Sequence, residues 1–327
     1  MINVAIGIDI GGTNTAFGIV DVNGNCLDKK SLLTTDFPNP QLLVKAIFEQ
    51  IQVMLISLEE VNVVGIGVGA PNGNYYNGTI EYAPNLKWKG VVNLIKLFRK
   101  HFDVPVFVTN DANAAAIGEM TYGVAKGVKD FVVVTLGTGL GSGIVSNGQL
   151  VYGYDGFAGE LGHTIIEENG RECACGRRGC LETYVSATGI VRTAQILLAR
   201  SSKPSMLREA SGEKITAKII AEAAKKGDAL AQEIFDFTAK KLGFSLANLV
   251  AITCPEMIVL FGGLTNAGES IIDPTKKYME QNLLRIFKDK VSIVPSGLKG
   301  GNAAILGASS LVWNELKKES FEKVELN

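Results

Sequence analysis

Apolar positions along this chain switch between two periods, and the switches divide it into elements. Val4–Ile10 is a continuous apolar, β-branched run, Ala16–Val22 is similar, and Gly11-Gly12 and Asn23-Gly24 punctuate them as turns. Both runs read as strands. Gln41–Leu55 carries apolar residues at Leu42, Leu43, Ala46, Ile47, Ile51 and Leu55, the stripe of an amphipathic helix. Val61–Val68 predicts a buried strand, Val91–Phe98 a second helix and Val104–Thr109 another strand. A hairpin followed by alternating helices and strands indicates a mixed-sheet α/β domain.

The pattern then begins again. Phe131–Leu136 is strand-like, Gly137–Gly143 is a glycine-rich turn, and Ile144-Val145 returns to Asn147-Gly148. Near the start, Asp9-Ile10-Gly11-Gly12-Thr13 leads in the same way through Gly18-Ile19-Val20 to Asn23-Gly24. Two such units suggest two similar domains, each offering one glycine loop to a shared cleft; chance likeness between glycine-rich hairpins is the alternative. Past Gly189 the chain turns helical, chiefly over Ala217–Lys226 and Ala229–Ala251. Met257–Phe261 and Val291–Pro295 read as strands and Asn302–Leu316 as a closing helix, with the charged tail after Lys317 expected to fray.

Composition narrows the function classes. The 327 residues suit two domains, and 46% hydrophobic with 20% charged residues describes a packed protein. A net charge of −1 provides no basic field for nucleic acid or an anionic membrane. The short clusters Lys126–Lys129 and Arg177–Arg178 read as solvated surface. No signal-peptide pattern opens the chain, and no apolar run reaches the roughly 20 residues that span a bilayer. A cytoplasmic protein is expected. Five cysteines, an odd number, argue against a disulfide framework.

Candidate chemistry lies in four places. Asp9-Ile-Gly-Gly-Thr-Asn14 sets a carboxylate at a strand end before a glycine turn, where backbone N–H groups can approach phosphate oxygens and the carboxylate can hold a water of Mg²⁺. Alone it would more often be only a hairpin, but Gly137-Thr138-Gly139-Leu140-Gly141 repeats it with more glycine than a turn requires. Asn110-Asp111, between a strand and the helix-like Ala112–Met120, suits a helix cap or a carboxylate that takes a proton from an attacking hydroxyl. Spacing leaves both readings open. His163 with Cys173, Cys175 and Cys180 offers one imidazole and three thiolates, the donor set of a tetrahedral structural Zn²⁺.

Together these residues resemble the ROK family (repressor, open reading frame, kinase). The resemblance runs through Asp9-Ile-Gly-Gly-Thr, Asn110-Asp111-Ala-Asn113, Leu136-Gly-Thr-Gly139, Gly159-Glu160-Leu-Gly-His163 and the cluster Cys173–Cys180 leading into Leu181-Glu182. It covers essentially the whole chain. It implies an α/β, two-lobed actin-like ATPase fold of the hexokinase and Hsp70 type, with a duplicated mixed-sheet core and an interlobe cleft. Residues 1–110 with 302–327 would form the small lobe, and 111–301 the large lobe carrying the zinc site. By the same resemblance Asp111 is the general base for a sugar 6-hydroxyl, and Asn85, Asn110, Glu160, His163 and Glu182 bind the sugar. Asp9, Gly11, Gly12, Thr13 and Asn14 with Gly137, Thr138 and Gly139 would hold the phosphates of ATP and its Mg²⁺. Gly262-Gly263 resembles the adenosine-contacting segment. Asn85 after Pro84 could otherwise be a turn residue and Glu182 a surface carboxylate. In Gly69-Ala-Pro-Asn72-Gly73, Asn72 stands where many members of the family have glycine.

The function implied is an ATP-dependent hexokinase of the glucokinase type, with free hexose and ATP as its partners and a homodimer or homotetramer as its assembly. Glucose is the first choice of substrate, with N-acetylmannosamine, N-acetylglucosamine, fructose and allose as competitors. A ROK transcriptional regulator would carry a helix-turn-helix ahead of the first glycine hairpin, and with Asp9 so early no such segment is expected. A silent sugar sensor is the remaining alternative, disfavoured by Asp9, Asp111 and both phosphate loops.

Overall fold

The computed structural model describes the chain except for residues 59, 210–213, 299–301 and 326–327, with side chains described as far as Lys318. The elements in order are β1 (Ile2–Ile10), β2 (Asn14–Asp21), β3 (Cys26–Leu33), α1 (Pro40–Ile56), β4 (Val61–Gly69), β5 (Gly73–Asn74), β6 (Thr79–Glu81), β7 (Val91–Asn93), α2 (Leu94–Phe98), β8 (Val106–Thr109) and α3 (Asp111–Tyr122). There follow β9 (Phe131–Leu136), β10 (Leu140–Ser146), β11 (Gln149–Leu150), α4 (Ala187–Arg200), α5 (Met206–Glu209), α6 (Ala217–Lys225), α7 (Ala229–Thr253), β12 (Met257–Phe261), α8 (Glu269–Asn282), β13 (Ser292–Pro295) and α9 (Ala303–Glu325).

Two compact units emerge, one of Met1–Gly127, Leu150–Ala158 and Gly297–Asn327, the other of Val128–Gln149 and Gly159–Ser296. The division expected at residues 110/111 and 301/302 is coarser than this partition. Helix α3, with Asp111 at its start, packs inside the first unit against α9. The first sheet runs β3-β2-β1-β4-β8 and the second β11-β10-β9-β12-β13. Each has an antiparallel hairpin at its centre, β1 with β2 and β9 with β10, followed by a parallel neighbour, β4 or β12, and a second one, β8 or β13. The echo heard in the sequence is therefore a duplicated sheet topology.

Burial explains why the strands sit where they do. In the first unit Ile6, Ile8, Phe17, Ile47, Ile66, Val68 and Phe98 lose all solvent contact, each contributing about 1.5–3 kcal/mol by area. The other face of that sheet admits α9 at backbone distance, since a Cβ on Gly67 would stand 1.9 Å from the Ala308 carbonyl oxygen. The second unit closes on Val132, Val134, Leu136, Leu242, Leu246, Ile258 and Leu260.

Several elements differ from expectation. The helix expected over Val91–Phe98 is a short strand and then a short helix. Val91 and Val92 pair with Glu81 and Ile80, and the Asn93 side chain accepts from the Lys96 N–H at 2.8 Å to start α2. Strand β3 has no apolar alternation to read; it is an edge strand whose Lys29 and Lys30 suit an edge protected against further pairing. Helix α8 contains Pro274, which hides its period. The tail expected to fray after Lys317 continues as helix to Glu325. Among the described residues, no helix is long and apolar enough to cross a membrane.

Candidate active site

In the first unit, β1 delivers Asp9 and β8 delivers Asn110-Asp111. Asn110 is both buried and a cap, its side chain accepting from the Asn113 N–H at 2.6 Å. Capping by Asn110 leaves Asp111 at the first position of α3, where the helix dipole favours a negative charge. The Asp111 carboxylate accepts from the Ala112 N–H at 2.9 Å and keeps solvent contact. Surrounding protein still pushes its carboxyl above the ordinary range, opposed by the Ala112 bond; the solvent contact limits the size of that effect.

Asp9 and Asp111 converge around Gly69, where a Cβ would lie 3.8 Å from both the Asp9 Oδ1 and the Asp111 Cα. Burial first, and the Asp111 charge second, raise the Asp9 carboxyl to about 7. Two carboxylates so placed are a ready partner for a cation. The hairpin after Asp9 closes through Gly11 N–H to Asn14 O at 2.9 Å and meets Asn85, whose carbonyl oxygen would be 2.6 Å from a Cβ on Gly12. Thr13 and Asn14 are exposed beside it. Asn72, in the glycine position of its loop, takes a left-handed φ of 50° and donates to the Glu81 carbonyl at 2.9 Å. Asparagine tolerates that conformation, which accounts for its standing in for glycine.

The second unit assembles the other predicted residues. The turn Gly137–Gly139 between β9 and β10 is held by Ala187 N–H to the Gly137 carbonyl at 2.8 Å and by Thr188 Oγ1 to the Thr138 carbonyl at 3.0 Å. Glu182 lies under this turn, accepting from the Leu140 N–H at 2.9 Å, and a Cβ on Gly139 would strike its carboxylate. Gly262, at φ 110°, brings the end of β12 to Leu136, with its missing Cβ 2.7 Å from the Leu136 carbonyl oxygen. Gly263, which opens the turn after it, has open space around its missing Cβ.

His163, Cys173, Cys175 and Cys180 come together, their ligand atoms all within 4.8 Å of one another. Cys173 Sγ is 3.7 Å from His163 Nδ1, and Cys175 Sγ is 3.7 Å from Cys180 Sγ. Ligands of a tetrahedral Zn²⁺ at about 2.3 Å for sulfur and 2.0–2.1 Å for nitrogen stand about 3.5–3.8 Å apart, so the donor set and its spacing fit that ion. Burial pushes the Cys180 thiol up to about 12 and raises that of Cys173. For Cys175 the raising effect of burial is outweighed by hydrogen bonds, those of Arg177 foremost, which bring it down to about 6. The other nitrogen of His163, Nε2, lies 4.0 Å from Glu160 Oε2, while Glu182 Oε1 lies 3.9 Å from Cys173 Sγ.

Sequence reasoning missed the residues that brace these groups. Arg177, read as solvated surface, donates to the His163 carbonyl at 2.7 Å. Thr188 supports the second glycine turn from 50 residues away, which no local signal reveals.

A family model described as the ROK family matches residues 5–315. The chain belongs to the ROK family. Among ROK relatives, the glucokinase of Halalkalibacterium halodurans is 36% identical over 97% of this chain and 97% of its own length. A xylose repressor of Caldicellulosiruptor bescii is 32% identical over 78% of this chain, and 63% of the repressor is covered. The crystal structure of a ROK family glucokinase from Streptomyces griseus in complex with glucose and AMPPNP aligns with a TM-score of 0.78 at 34% identity, covering 94% of this chain and 98% of that one. Such likeness over both units accords with the actin-like fold implied by the ROK motifs.

Proposed function

We infer that this chain is an ATP-dependent hexose kinase that phosphorylates the 6-hydroxyl of glucose. The observation that carries the reading is the pair Asp9 and Asp111, brought together from β1 and α3 beside a glycine hairpin, in a chain similar over nearly its whole length to glucokinases. Asp111 would accept the proton of the 6-hydroxyl as that oxygen bonds to the γ-phosphorus, and the bond from the γ-phosphorus to its bridging oxygen would break to release ADP. Mg²⁺, when bound with ATP, neutralises charge on the phosphates. Asp9 would hold a water of that ion, while the backbone N–H groups of Gly11–Thr13 and Gly137–Gly139 would face phosphate oxygens. Gly262 and Gly263 would meet the adenosine.

Asn85, Asn110, Glu160, His163 and Glu182 would read the sugar hydroxyls. A site that bonds a particular hydroxyl rejects analogues lacking it by large factors. A Zn²⁺ on His163, Cys173, Cys175 and Cys180 would hold the imidazole neutral through Nδ1, leaving Nε2–H as a donor on the side of Glu160.

Glucose is expected to give the highest kcat/KM in an ADP-release assay over glucose, fructose, allose, N-acetylglucosamine and N-acetylmannosamine. An N-acetylhexosamine turned over about tenfold more efficiently than glucose would replace glucose as the substrate and leave the kinase reading in place.

A further inference from the structure

We propose that Glu119 is a positioning residue for phosphoryl transfer, clamping the segment before the chain's first exit from the unit that carries the general base to the segment of its last return. The proposal rests on the kinase reading above. Glu119 is fully buried on α3, and one carboxylate oxygen, Oε2, accepts from the Val124 N–H at 3.0 Å and from the Gly297 N–H at 3.2 Å. The chain first departs from the first unit just after the first of these segments, at Gly127, comes back over Leu150–Ala158, and makes its last return at Gly297 itself. One buried oxygen thus ties an outgoing segment to a returning one.

Two glycines make the clamp possible. A Cβ on Gly123 would stand 1.9 Å from Glu119 Oε2, so only glycine lets the carboxylate fold over the end of its own helix. A Cβ on Gly297 would meet Val124 Cγ1 at 2.7 Å and Val124 N at 2.8 Å, so the two segments touch at backbone distance. Burying a carboxylate is costly unless charge-assisted bonds offset it, and the bonds to Val124 and Gly297 go to connecting segments. Asp111 begins the helix on which Glu119 lies, eight residues and about 12 Å of helix rise away. A rigid helix with the base at one end and the clamp near the other fixes where Asp111 stands beside Asp9 within the first unit. In-line transfer is sensitive to such placement, since a displacement of about 1 Å far from the chemistry can cost about 10²-fold.

Two variants test this without touching a proposed substrate contact. Glu119→Gln preserves volume and an acceptor oxygen but loses the charge, and Gly297→Ala forces the segments apart. Thermal midpoints are measured first, then kcat at saturating ATP, Mg²⁺ and glucose well below those midpoints, across pH. Both folded variants are expected to lose about tenfold or more in kcat with the acid limb of the pH profile unmoved, because Asp111 itself is intact. Folded variants with lowered midpoints but kcat within about twofold of the parent would show a purely structural tie and overturn the proposal. If Glu119→Gln does not fold, Gly297→Ala decides by the same criterion. A parent that phosphorylates no sugar contradicts the kinase reading itself; an active parent beside unaffected variants contradicts the clamp alone.

Discussion

Asp111→Asn is expected to lower kcat by about 10²–10⁴-fold while sugar affinity stays near that of the parent. The amide retains the acceptor oxygen for the Ala112 N–H, so the start of α3 persists. What disappears is the carboxylate proposed to take the hydroxyl proton. Loss of a group acting chiefly in the transition state appears in kcat and kcat/KM together, with dissociation constants spared. The substitution has a second signature. Asp9 is raised to about 7 by burial and, after that, by the negative charge of Asp111. A raised carboxyl is protonated below that pH, so Mg²⁺-dependent ATP binding through Asp9 should weaken as pH falls through about 7. With Asp111 neutral the repulsion is gone, and that limb should move to lower pH. Titration of nucleotide binding against pH in the two proteins measures the shift. A variant with more than about half the parental kcat would remove Asp111 from the role of base.

Removal of the proposed Zn²⁺ should be nearly as severe for the sugar. Cys175→Ala is the clean probe, because Cys175 is exposed and has no proposed contact with either substrate. The cluster lies against two of the proposed sugar contacts: His163 belongs to it, and Glu182 Oε1 reaches to 3.9 Å from Cys173 Sγ. The other oxygen of Glu182 is bonded to Leu140 N–H, so the same carboxylate also supports the second glycine turn. Changes around a metal's ligands typically cost about 10–100-fold, and an increase in sugar KM of that order, with lowered thermal stability, is expected. Elemental analysis should find one zinc per parent chain and none in the variant. A zinc-free variant with the parental sugar KM would separate the metal from the sugar site.

Legibility in the sequence depended on whether a signal was local. Strand β12 could be read to its bounds because Met257–Phe261 is a pure apolar run ended by two glycines. The duplicated hairpins were visible because Asp9–Thr13 and Thr135–Gly139 repeat residue types as well as period. The metal cluster was visible because three cysteines within eight residues leave few other readings. Strand β3 was not singled out, since an edge strand needs no buried face and Cys26–Leu33 shows no apolar run. The approach of Asn85 to Gly12, and of Glu182 to Gly139, joins residues that only the finished fold makes neighbours. Asn110-Asp111 is instructive in another way: cap and base were posed as rivals, and the structure gives the cap to Asn110 and leaves the Asp111 carboxylate free of any described side-chain partner. Arg177 is the exposed residue it was read as, but exposure does not preclude a role: it holds the His163 carbonyl while remaining in solvent.

The most direct measurement gives the purified protein ATP and Mg²⁺ with either glucose or 6-deoxyglucose, and quantifies both ADP and sugar phosphate. The account predicts equimolar ADP and glucose 6-phosphate from glucose, and no phosphorylated product from 6-deoxyglucose, which lacks the hydroxyl that Asp111 would deprotonate. Phosphorylation of 6-deoxyglucose, or absence of any sugar phosphate from glucose, would contradict it.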